Sequence, residues 1–152
     1  MSDAFEIRLE YVGAGERCQI FRLAFQGSAE RLLLPYPKVT GLKFAKLNGE
    51  TAAEWGCRFL VSAPQDDFVL TPEARIAFDL RVYVDIEPTP SYPWIVRLPS
   101  GTLTAQYVLD VNADRPWYDF LAKRSRFVGI TKQWGGSIKS NLVEFTVAGI
   151  QP

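Results

Sequence analysis

Apolar and polar residues alternate with period two along most of this chain, and that pattern constrains the fold more than any other feature. Successive side chains of a strand point to opposite faces, so the alternation marks strands with one buried face. Phe5, Ile7, Leu9 and Tyr11 alternate with Glu6, Arg8 and Glu10, and this first strand ends at Gly13-Ala14-Gly15. Phe21, Leu23 and Phe25 repeat the pattern before a turn at Gln26-Gly27-Ser28. Arg31 to Leu34 is a short apolar run stopped by Pro35-Tyr36-Pro37. Leu42 and Phe44 open a strand that reaches Asn48-Gly49, a dipeptide suited to a hairpin because both residues tolerate positive φ. Beyond it, Trp55, Cys57, Phe59 and Val61 share a face.

The second half repeats the signal more strongly. Ile76, Phe78, Leu80, Val82, Val84 and Ile86 lie opposite Arg75, Asp79, Arg81 and Asp85. Leu103, Ala105, Tyr107, Leu109 and Val111 lie opposite Thr102, Thr104, Gln106 and Asp110. Val143, Phe145 and Val147 form the last strand, and Ile138 is out of phase with them, which predicts a bulge near Ser140-Asn141. One segment departs from period two. Asp114 is a fitting N-cap, Pro116 sits in the first turn, and Trp117, Phe120, Leu121 and Arg124 fall three or four apart. This predicts one or two helical turns within Asp114–Arg126. Glu87–Pro93 and Lys132–Ser137 read as irregular, and the prolines of the first suit an edge or a crossover.

Strand spacings of roughly 8–12 residues with Gly, Pro and Asn punctuation favour an antiparallel sandwich over alternating βα units. The 152 residues, 47% of them hydrophobic, correspond to one domain spanning 1–152. The expectation is a sandwich of about seven to nine strands with one short helix before the last strands.

Composition narrows function by subtraction. Seventeen basic and 17 acidic residues cancel, which argues against holding nucleic acid or anionic membrane by bulk charge. The chain has no histidine, which removes Ser-His-Asp and Cys-His chemistry and nearly all catalytic zinc sites. No apolar run approaches the ~20 residues that span a bilayer. Polar residues begin the first alternation, with no charged n-region and apolar h-region, so no signal peptide is read and a cytoplasmic location is expected. In that compartment Cys18 and Cys57 are expected as small buried hydrophobes rather than a disulfide.

Four groups of residues carry side chains suited to chemistry. Asp110, Asn112 and Asp114 place oxygens at every second position, as in a calcium loop. Arg115 stands where the loop needs glycine and Leu121 where it needs a bidentate Glu. An EF-hand is excluded, and an Asx-type turn capping the helix is favoured over a looser calcium site. Asp66-Asp67 is the one adjacent carboxylate pair, and a solvated loop is favoured over a catalytic dyad. Lys123, Arg124, Arg126, Lys132 and Lys139 lie in an acid-free run with Phe127 and Trp134. Asp119 and Glu144 flank that run, so a partly paired solvated face is favoured over stacking on bases. Trp94 with Tyr92, and Trp134 near Lys132, are the aromatic platforms a protein partner or a sugar can use. The same residues also suit a plug at the open end of a sandwich.

Three segments together carry a resemblance. Phe21 to Leu32 looks like the strand-turn-strand opening of bacterial immunoglobulin-like domains. Phe68-Val69-Leu70-Thr71-Pro72-Glu73, leading into Phe78-Asp79-Leu80, is similar to their turn before a long strand, with Ala74 and Glu73 where the glycine and its neighbour usually fall. Trp134 to Val147 resembles their final hairpin. The antibody pattern is absent, because the strand holding Tyr107 has no cysteine. The family includes intracellular proteinase inhibitors and implies an immunoglobulin-like fold rather than an activity. The expected function is a non-catalytic protein-binding module, inhibitor-like, using Tyr92, Trp94, Trp134 and Lys132, without a cofactor or metal. A carbohydrate-binding module using the same aromatics is the alternative, and an enzyme comes third. The long first strand, with only Glu6, Arg8 and Glu10 to blunt it, leaves assembly through its edge open.

Overall fold

The computed structural model describes residues 4–15, 17–57, 67–84, 94–111 and 131–148, and these build an all-β protein. Three long antiparallel strands form the first sheet in the order β1-β2-β8: β1 (Phe5–Gly15), β2 (Cys18–Gly27) and β8 (Arg75–Tyr83). The register sets Leu9 opposite Leu23 and Leu23 opposite Phe78, so the predicted apolar face is shared by all three strands. Phe21, Leu23 and Phe25 are fully buried on it. The opposite face carries Arg8, Glu10, Arg22, Asp79 and Arg81.

The second sheet is centred on β10 (Gly101–Val111). On one side it pairs with β4 (Leu42–Lys46), which in turn pairs with β5 (Thr51–Ala53). On the other it pairs with β12 (Gly136–Lys139) and then β13 (Val143–Val147). Its inner face meets the first sheet through rings: Phe21 lies 5.1 Å from Phe145 and 6.0 Å from Phe44, and Tyr11 lies 5.4 Å from Phe145. The core therefore sits between two sheets packed face to face. Two smaller sheets close the flanks. In one, β3 (Leu32–Pro35) runs antiparallel to β7 (Asp67–Leu70) and parallel to β11 (Lys132–Gln133). In the other, β6 (Trp55–Cys57) pairs with β9 (Trp94–Val96).

The bulge forms where the phase slip predicts it. Val108 faces Lys139 and Ala105 faces Val143, so four steps on one strand answer three on the other. This brings Ile138 and Val143 onto the same face of the sheet. The Asn48-Gly49 hairpin also forms, joining β4 to β5, but only Gly49 takes a left-handed conformation, at φ +92°. Asn48 instead accepts the Glu50 N–H on its side-chain oxygen at 3.0 Å.

Other expectations need correction. The strand count exceeds seven to nine: thirteen strands occur among the described residues. The bulge divides the last strand in two, and the strand after Asn48-Gly49 breaks at Glu54, where β5 leaves one sheet and β6 joins another. Lys132–Ser137 is not wholly irregular, since β11 and the start of β12 fall inside it. The only helical turn among the described residues is a 3-10 turn at Val39–Gly41. The helix expected within Asp114–Arg126 and the irregular stretch Glu87–Pro93 lie outside the described residues.

Candidate functional site

An aromatic chain crosses one end of the molecule and reaches the surface at both of its ends. Leu32, Leu33 and Leu34 bury β3 between its two neighbours, and Pro35 ends the strand. Tyr36 follows, held between two prolines whose rings fix their own φ and restrict the residue before each. Its ring packs on Phe68 at 5.5 Å and on Phe78 at 5.7 Å, yet Tyr36 keeps 41% exposure. From there the rings continue inward: Phe68 to Phe25 at 5.1 Å, Phe25 to Phe5 at 6.0 Å, and Phe5 edge-on to Trp134 at 4.8 Å.

Trp134 is half-buried. Its backbone N–H donates to the Leu33 carbonyl at 3.2 Å, which extends the β11–β3 pairing by one residue. The Gly136 backbone also lies close to it, where a Cβ would come 3.2 Å from the indole. Trp134 thus packs against both Phe5 and Gly136, the geometry of a plug, while Tyr36 is the more exposed ring. The backbone of Lys132 pairs beside Leu32 on the same small sheet.

The other aromatic candidate is elsewhere. Trp94 opens β9 opposite Cys57 and is half-buried, and Tyr92 lies outside the described residues. Val96 of β9 bridges Val84, next to the Tyr83–Cys18 pair, whereas Phe5 pairs with Gly27 at the far end of the same sheet. Cys18 and Gly27 are nine residues apart along β2, roughly 30 Å at strand rise. The structure therefore places Trp94 and Trp134 near opposite ends of the sheet and does not bring them into one platform.

A groove of about 490 Å³ runs between the outward face of the first sheet, at Arg8, Glu10, Arg22 and Arg75, and the bulge segment, at Asn141 and Glu144. Both signs of charge line it. Arg22, which also lines it, bonds Asp79 at 2.9 Å across the strands, and this contact raises the arginine's already high pKa. Burial pushes the Tyr11 hydroxyl up as well; it donates to the Gln19 side-chain oxygen at 2.6 Å. Asn141 spans the gap to β1. Its oxygen accepts the Leu9 N–H at 2.8 Å and its nitrogen donates to the Leu9 carbonyl at 3.0 Å.

Of the remaining sequence candidates, Asp66, Asn112 and Asp114 lie outside the described residues, while Asp110 is exposed in β10 opposite Ser137. Among the described residues, no group of three or more Cys, Asp or Glu is placed to hold a metal ion, and no helix is long and apolar enough to cross a membrane. Cys18 is a buried free thiol. No protein-family model matches this chain, and neither curated proteins nor solved structures yield a match. Trp134 stands out in the sequence and Tyr36 does not, although Pro35-Tyr36-Pro37 carries a usable signal: a large ring between two residues that cannot continue a central strand.

Proposed function

We propose that this chain is an immunoglobulin-like β-sandwich that works by binding a protein, in the manner of an inhibitor domain, through its aromatic end. Strand order supports the fold. The β1-β2-β8 sheet against β5-β4-β10-β13 follows the order in which such domains pair their first, second and fifth strands against their third, sixth and seventh. The Pro72–Glu73 turn is in keeping with it: the turn comes just before the long strand β8, and Glu73 takes φ +63°, a left-handed conformation that glycine adopts most readily.

The observation that carries the functional reading is Tyr36, a solvent-facing ring made rigid by flanking prolines and by Phe68 and Phe78. Rigid, half-exposed tyrosines make strong interface anchors because little side-chain freedom is lost on binding. A sugar platform needs rings open to solvent, and Trp134 is half-buried against Phe5 and Gly136. Among the described residues, the titratable groups pushed from their ordinary values, Tyr11, Arg22 and Tyr107, are each engaged within or between strands.

The test is affinity capture of a partner followed by titration calorimetry with that partner purified. Tyr36→Ala weakens binding at least tenfold while Val12→Ser, on an exposed residue at the other end of β1, leaves it unchanged. A class of oligosaccharide that raises the melting temperature by several degrees, with the effect lost in Trp94→Ala, would overturn the reading in favour of a carbohydrate-binding module.

A further inference from the structure

The outer edge of β1 is closed by a side chain rather than by a strand. Leu9 directs both its N–H and its carbonyl away from β2, and the Asn141 amide meets both. These are the two bonds that a residue of an antiparallel neighbour would make in a hydrogen-bonded pair. By the same alternation, Ile7 and Tyr11 turn their backbone groups to this edge, and β1 pairs with no second strand among the described residues. Asn141 belongs to the bulge between β12 and β13, and the extra residue there re-aims its side chain toward β1. It is solvent-exposed, and so is Leu142 beside it.

We propose that this edge is a self-complementary surface for a second copy of the chain, and that Asn141 keeps it shut. Set β1 antiparallel to β1 of a second copy, with the twofold axis passing beside Leu9. Leu9 then faces its own counterpart and exchanges the two bonds now made with Asn141. Ile7 faces Tyr11, so apolar side chains stay on one face in both copies. Arg8 faces Glu10 in both directions, giving two opposite-charge pairs on the other face. Arg8 and Glu10 form no ion pair among the described residues, so neither has to leave one. A shift of the axis by one residue to Arg8 would set Arg8 against Arg8 and Glu6 against Glu10. The charges therefore select the register that uses Leu9. Arg8 to Tyr11 face Asn141, Val143 and Glu144 across a groove, so a second copy reaches this edge only as the bulge segment gives way. Natural proteins protect long edge strands against such pairing, and here one amide in a bulge does so without adding a charge or a proline to β1.

The proposal is independent of the aromatic end and is tested by sedimentation equilibrium of the full chain. Wild type stays monomeric, and Asn141→Ala dimerises with a dissociation constant at least tenfold lower than that of wild type. Adding Glu10→Arg to Asn141→Ala sets arginines opposite one another and returns the protein to monomer. Adding Arg8→Glu as well restores the dimer. A folded Asn141→Ala protein that remains monomeric, or a dimer indifferent to Glu10→Arg, overturns the proposal. If Asn141→Ala does not fold, Asn141→Asp gives the same reading. It keeps an acceptor for the Leu9 N–H but sets an oxygen against the Leu9 carbonyl, which frees that half of the edge.

Discussion

Tyr107 shows how much one side chain can hold that its local sequence does not announce. It reads as one more inward residue of an alternating strand, and it is one, fully buried in β10. Its hydroxyl also donates to the Lys38 carbonyl at 2.8 Å, 69 positions away, and so ties the β3–β4 connection to the second sheet. Gly41 is part of the same arrangement, because a Cβ there would overlap the Tyr107 ring. Burial pushes the Tyr107 hydroxyl well above its ordinary value of 10.0. In the unfolded chain the phenol ionises near pH 10, whereas in the folded chain it keeps its proton to higher pH. The stability this supplies is complete below pH 10 and is lost as pH rises above it, by up to about 1.4 kcal/mol per pH unit. Urea titrations at pH 7, 10 and 11 read this directly. Tyr107→Phe costs about 1–1.5 kcal/mol at pH 7, since the Lys38 carbonyl loses its donor, and falls less steeply than wild type above pH 10. Parallel declines in the two proteins would refute the assignment.

At the scale of elements, the long strands were legible and the short ones were not, for a physical reason. A strand of nine to eleven residues with one buried face must alternate, so β1, β2, β8 and β10 appear in the sequence with their faces correctly assigned. The bulge was legible because an inserted residue must break the phase. By contrast, β11 is two residues long and pairs with a strand about 100 positions earlier, and no pattern of two residues specifies that partner. The candidate site divides the same way. Trp134 stood out as an aromatic beside glycines, but its position against Phe5, and the distance between it and Trp94, depend on pairings that only the folded chain supplies. The device that makes the bulge stable was hidden too. The Ser140 hydroxyl oxygen accepts the buried Tyr107 N–H at 2.9 Å, and its hydroxyl hydrogen goes to the Asn141 carbonyl at 2.8 Å. Ser140→Ala strands that N–H and costs about 1–3 kcal/mol. The expected readout is a melting temperature lower by several degrees together with faster amide exchange at Tyr107. A variant as stable and as protected as wild type would show that the ladder closes without the hydroxyl.

Across the whole molecule, the question is what makes two sheets one cooperative unit, since backbone bonds hold each sheet only to itself. Phe21 carries much of that coupling. It lies in the middle strand of the first sheet, fully buried, edge-on to Phe145 at 5.1 Å and tilted against Phe44 at 6.0 Å, and both of those rings belong to the second sheet. Tyr11, beside it on β1, reaches Phe145 as well, at 5.4 Å. Alternation placed Phe21 on the inner face but could not say which rings would meet it, because those neighbours lie 23 and 124 positions away. Phe21→Ala removes the central ring of this contact and leaves a cavity between close-packed sheets that can collapse only by moving both, a cost of about 3–5 kcal/mol. Phe78→Ala offers the comparison: its ring contacts go to Phe25, Phe68 and Tyr36 at the aromatic end, so it loosens that end while the Phe21 contacts remain. Both variants should unfold in urea with circular dichroism and tryptophan fluorescence changing together, Phe21→Ala at the lower midpoint. If Phe21→Ala instead costs less than about 1 kcal/mol, the sheets are joined elsewhere, and the edge contact between Asn141 and Leu9 becomes the first place to look.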